Sequence, residues 1–271
     1  MALVPPFLPS RFPLMSRRSY ALELATTFCF ATALAVVEGG VLGNIAKRRY
    51  EDEVSPLTLN FIVAVIAAAP DLANIFSFIW SSLSHGRAKV PIVNLLQLAV
   101  VLLIALMAFT PESLTGLVAL TVLAMLARTC WSGIITLRPT IWRSNYPRAM
   151  RATVVGNLYT VQVLVVALVG IVVGMIMNVR PDALPMIVIA VAGVGLGAFV
   201  ATRKLRVRHE ASMLRGERDA AAVMKPWQGP AIVLQVLRRD KMWAKFMLWM
   251  FVLGLGNMLM GPVLTLSLIH I

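Results

Sequence analysis

Seven continuous apolar stretches, separated by polar breaks, organise the chain: residues 20–46, 57–80, 91–109, 114–137, 153–178, 184–202 and 243–268. A helix needs about twenty residues to cross ~30 Å of hydrocarbon, and each stretch is of that order or longer. The runs are continuous, not alternating, and lipid leaves no backbone group unpaired, so they predict helices and not a β-barrel. The first six form one group. A charged stretch with scattered Gly and Pro then precedes the seventh. The pattern therefore predicts a flexible leader at 1–19, a six-helix transmembrane bundle at 20–202, a basic linker at 203–242 and a seventh transmembrane helix at 243–271. Within the linker, 231–239 has the make-up of a short amphipathic helix lying on a membrane face.

Composition agrees. The 271 residues are 59% hydrophobic with a mean hydropathy of +0.82, too apolar for an ordinary soluble domain. The formal net charge is +13, but its placement argues against nucleic acid. With the N-terminus inside, nineteen of the Lys and Arg residues fall in inner segments and four in outer loops. That bias predicts a multi-pass protein of the cytoplasmic membrane with a cytoplasmic N-terminus, and anionic lipid as a neighbour. Cys29 and Cys130 both lie in apolar runs and His85, His209 and His270 are scattered, so neither a disulfide framework nor a metal site is expected. No cofactor is expected. No nucleophile–base constellation suggests an enzyme. The triplet Gly193, Gly195 and Gly197 sits inside an apolar run with no strand before it, which reads as packing and not as a nucleotide loop.

The loop between the second and third stretches reads Ser84-His85-Gly86-Arg87-Ala88-Lys89. Together with six spans, an inside N-terminus, a long basic linker and a seventh span, it resembles the major facilitator superfamily over most of the chain. Gly86, Arg87 and Lys89 match the end of that family's loop pattern, while Leu83 stands where the pattern has Asp. The resemblance implies an all-α polytopic membrane protein: an MFS-type six-helix bundle with a truncated second bundle, the missing C-terminal bundle being expected in a longer protein. It implies a solute site between the bundles and places the third and sixth helices against lipid. Neither of those stretches has an ionisable residue in its interior. The final residues 266–271 correspond to a translated transposon-end sequencing adapter, so native sequence is expected to end near Thr265.

Charge inside a membrane span costs ~2.5–3.5 kcal/mol even on the lenient insertion scale, so Glu38, Asp71 and Arg128 each need a reason. Asp71 and Arg128 lie nine residues from the inner ends of their stretches, ~13 Å deep at helical rise. Glu38 lies near the outer rim, ~27 Å from that face. Depth therefore pairs Asp71 with Arg128, either as a static ion pair or as a proton-coupling and substrate-binding pair. Glu38 is expected at the outward mouth, where Gly39, Gly40 and Gly43 permit close helix approach. Trp131 is a candidate for stacking on substrate, with ordinary packing as the alternative. Arg138, Arg143, Arg148 and Arg151, with Gly86, Arg87 and Lys89, are candidates for cytoplasmic gating. The functional expectation is a secondary active transporter of a small solute, with protons as a candidate coupling ion. The alternative is a non-transporting scaffold or sensor of the same fold.

Overall fold

The computed structural model describes the backbone of residues 7–219 and 229–270; the side chains of Gly39, Pro181, Gly229, Pro230, 257–259 and 261–270 lie outside the description. The expectations for 1–6, for 220–228 and for the side chains of 266–271 fall outside these residues. The helices are α1 (Leu14–Val37), α2 (Gly39–Tyr50), α3 (Pro56–Ile75), α4 (Ser77–Ser84), α5 (Lys89–Met107), α6 (Leu114–Asn145), α7 (Arg148–Val179), α8 (Leu184–Arg203), α9 (Glu210–Asp219), α10 (Gly229–Arg239) and α11 (Lys241–His270). Among the described residues there is no strand. Among the described residues, six segments are long and apolar enough to span a membrane, α3 and α4 counting as one. This is an all-α polytopic membrane fold.

Helix ends follow local chemistry. Ser55 and Ser113 cap α3 and α6, their Oγ atoms accepting from Thr58 N and Gly116 N at 3.4 and 3.2 Å. Pro147 makes extended backbone the preferred state of Tyr146, so α6 and α7 are joined by these two residues alone. The fourth span, α6, runs eight residues past Leu137, where the apolar stretch ends. Pro139 removes one backbone donor without stopping the helix.

The leader expected over 1–19 is structured from Pro9, a 3-10 turn at Pro9–Arg11 leading into α1 at Leu14. Arg17 fixes it, donating from Nε to Phe12 O at 2.8 Å and from Nη2 to Ser10 O at 2.9 Å. Phe12 is buried against Tyr20, with ring centroids 4.2 Å apart. The linker likewise contains a helix that its composition did not announce, α9. The expected amphipathic segment is α10.

The most extensive packing pairs α1 with α8 and α7, α6 with α5 and α3, and α5 with α8. Exchanging the first, second and third spans with the fourth, fifth and sixth maps this set onto itself. The bundle therefore contains two three-helix halves packed alike; only the contact of α2 with α3 lacks a counterpart of similar extent. The third and sixth spans do not form the most open faces. The apolar window of α5 is 50% buried, whereas that of α3–α4 is 22% and that of α7 is 17%. The cause is the central contact of α5 with α8, each also leaning on a helix of the opposite half.

That central packing needs small residues. A Cβ on Gly195 of α8 would come within 2.8 Å of both Ala33 Cβ on α1 and Val101 Cγ2 on α5. Gly195→Val is expected to destabilise the bundle by about 1–3 kcal/mol, measured by thermal unfolding in detergent. Gly193→Val, where a Cβ meets open space, should have a much smaller effect.

Candidate functional site

The first span is broken at Glu38. Its backbone turns extended (φ −66°, ψ 133°) between α1 and α2, and Gly39-Gly40 follow directly. The break frees carbonyls at the C-terminus of α1, where the helix dipole is negative. Arg128 of α6 fills that position. Its Nη2 donates to Val37 O at 2.8 Å and to Glu38 Oε2 at 2.7 Å. The pair is unequal: the Arg128 side chain is 5% exposed and that of Glu38 47%. Arg128 Nε has no partner among the described residues.

Arg128 therefore pairs with Glu38, not with Asp71. The physical reason is the true length of α6. Counted from Asn145, Arg128 lies seventeen residues in, ~25 Å along the helix and level with Glu38. Asp71 is exposed on α3 and makes no ion pair among the described residues. Trp131 is buried, its ring 5.2 Å from that of Phe30 on α1.

A second buried charge pair lies lower on the same two helices. Glu23 of α1 accepts from Trp142 Nε1 at 2.8 Å through Oε2, and the same oxygen stands 3.7 Å from Arg138 Nη2. Arg138 also donates to Thr27 Oγ1 at 3.3 Å and lies over the Trp142 ring at 5.7 Å. Sequence reasoning had Arg138 as a gating candidate but passed over Glu23, which sits only three residues into a stretch read as starting at Tyr20. With α1 starting at Leu14, Glu23 is nine residues inside it. A signal was present: Ser16, Tyr20, Glu23, Thr27 and Phe30 repeat at spacings of four and three, a single helix face carrying unusually polar residues.

The remaining gating candidates gather at the end of the bundle that carries the N-terminus. Gly86 adopts a φ of +66°, and its N–H donates to Glu217 Oε2 at 2.7 Å. Lys89 is buried and donates to the same oxygen at 2.7 Å and to Ser84 O at 2.6 Å. Arg218 donates from Nε to Gly86 O at 3.3 Å. The loop between α4 and α5 thus takes a carboxylate from α9. Arg151 donates to Tyr146 O and Arg143 O at 2.9 and 2.8 Å, closing the α6–α7 turn. Arg87, Arg143 and Arg148 have exposed side chains.

Compared with known proteins, the chain matches no family model, no curated protein and no solved structure. Among the described residues, fold and site define a multi-pass helical membrane protein whose broken first span is tied to α6 by two ion pairs, one buried at Glu23 and Arg138 and one half-exposed at Glu38 and Arg128.

Removing Glu38 strands a buried guanidinium, whereas removing Arg128 leaves a half-exposed carboxylate. Glu38→Leu should therefore lower thermal stability more than Arg128→Leu, and the double variant should lose less than the sum. Asp71→Asn should stay within about 0.5 kcal/mol of the parent.

Glu217 makes the docking of α9 dependent on pH. Partial burial alone raises its carboxyl, but the hydrogen bonds from Lys89 and Gly86 and the charges of Lys89 and His85 outweigh that and hold it below the ordinary value of 4.5. A depressed folded value means that the docking of α9 is fully stabilised above that ordinary value. The contribution is lost as pH falls below it, through the folded value. Hydrogen exchange of α9, corrected for intrinsic rates, should rise across that acid window and should already be raised at neutral pH in Glu217→Gln.

Proposed function

We propose that this chain contains the first bundle of a secondary active transporter of the major facilitator type, which moves a small solute across the cytoplasmic membrane by alternating access. The observation that carries the reading is the break at Glu38. Transporters place solute and ion sites at discontinuous spans, where helix ends and unwound backbone offer charge inside the membrane. Here the break lies opposite a buried arginine on the equivalent span of the other three-helix half. The repeated packing of the two halves supports the same reading, because inverted three-helix repeats are a feature of that fold.

Polar residues on the open faces add to it. Asn60, Asp71 and Asn74 are all exposed on α3, an otherwise apolar helix. Such groups belong against protein or a water-filled cavity, not lipid. We assign this face to a second bundle that begins with α11, with the solute between the bundles. The enclosed space at Glu23 is far too small for one. Arg128 and Glu38 are the pair whose making and breaking would accompany solute or proton movement, and Asp71 lines the proposed cavity. The charge bias of the loops orients the N-terminus to the cytoplasm.

The test is flux by the full-length protein, both bundles included, in proteoliposomes under an imposed proton gradient, across amino acids, sugars, carboxylates and organic cations. Uptake of one class above protein-free vesicles is expected, with a loss of more than about tenfold in Arg128→Met and Glu38→Gln if the pair acts in transport. Folded protein that moves none of these classes, or flux indifferent to both substitutions, would favour a non-transporting scaffold or sensor.

A further inference from the structure

Two residues that line one small space, Glu23 on α1 and Gln97 on α5, carry three buried polar atoms with no partner among the described residues: Glu23 Oε1 and both amide atoms of Gln97. The two residues are only 3% and 1% exposed. The space measures about 10 Å³, and its other walls are Thr26, Val93, Arg138, Ile141, Thr202 and Leu205. That is room for one water molecule and nothing larger. Buried polar atoms are rarely left unpaired, and three orphans around one water-sized void are the usual setting of an internal water.

We propose that this cavity is a hydrated proton-binding site: one water molecule bridges Glu23 and Gln97, and the Glu23 carboxylate takes up a proton there. The charge of Glu23 is incompletely balanced. Among the described residues its one direct donor is Trp142 Nε1, while Arg138 stands 3.7 Å away and donates to Thr27. A buried carboxylate ordinarily gathers several donors.

The added proton completes the set. It comes from bulk water and bonds to Oε1, no other covalent bond changing, and the new O–H donates to the water or to Gln97 Oε1. Trp142 keeps its bond to Oε2. Arg138 keeps Thr27 and the indole face. The titratable and charged groups around Glu23 are Tyr20 on its own helix and Arg138 and Tyr146 on and just beyond α6. From α7, Tyr159 meets the Trp142 ring at 6.5 Å, while the cavity residues from α5 and α8 (Val93, Gln97 and Thr202) do not titrate. The site lies fifteen residues along the first span from Glu38, ~22 Å away if the helix is followed, and requires no assumption about transport.

The test is infrared difference spectroscopy of the whole chain in lipid nanodiscs between about pH 9 and about pH 4, with tryptophan fluorescence read in parallel. A protonated-carboxyl band that shifts in D2O should be lost in Glu23→Gln and kept in Glu38→Gln. A fluorescence change with the same midpoint should be lost in Trp142→Phe. Gln97→Leu, which removes the amide partners of the water, should move that midpoint by about one pH unit. Should Glu23→Gln fail to fold, the Trp142→Phe and Gln97→Leu arms decide. A band that survives Glu23→Gln, or a midpoint indifferent to Gln97→Leu and a fluorescence change indifferent to Trp142→Phe, would overturn the proposal.

Discussion

A guanidinium among apolar helices has to find acceptors close by, and the bundle provides them by interrupting its own first span. Had α1 continued through Glu38, the Val37 carbonyl would have been committed to the residue four positions on. The extended backbone at Glu38 releases it, the glycines at 39 and 40 make the break inexpensive, and the freed carbonyl and the Glu38 carboxylate meet Arg128 together. The redirected α2 then packs on α3 and reaches the far end of the bundle. There Tyr50 donates to Thr110 Oγ1 and Arg49 to Thr110 O. Burial of one arginine thus ties helix geometry, α2 packing and the closing of the α5–α6 turn together.

The same two helices are joined again at Glu23 and Arg138. Between these levels the contact is aromatic, Phe30 on Trp131. The arrangement alternates charge, ring stack and charge along α1 and α6, so each ionic level is shielded from the other by a dry layer. Each level has its own partners outside the pair: backbone at the upper one, Trp142 and Thr27 at the lower. Coupling between the levels must pass through the aromatic layer and not through shared ligands.

Much of the architecture was legible in the sequence, because continuous apolar runs of membrane length have few alternatives. The six spans, the short amphipathic helix before α11 and the candidacy of Glu38, Arg128 and Arg138 all came from pattern alone. The pairing did not. It depended on where the fourth span ends, and the apolar stretch stops at Leu137 while the helix runs on to Asn145. An error of eight residues there moved Arg128 by ~12 Å and gave it the wrong carboxylate. Glu23 was hidden by the same kind of error at the start of α1. Glu217 was illegible for another reason: a carboxylate in a charged linker has many possible partners, and only the fold shows that Gly86 and Lys89 take it.

The lengths of α6 and α7 have a consequence of their own. Each has 32 residues, ~48 Å of helix against ~30 Å of hydrocarbon. Their shared two-residue turn, the Asn145 contacts to Ser16 and Arg208, and the Ser144 contact to Met213 all lie at the overhanging end. That end forms a plinth onto which the N-terminal turn and the first half of the linker are built. A thinner or thicker bilayer would be met by a change of tilt, leaving the joinery on the plinth intact.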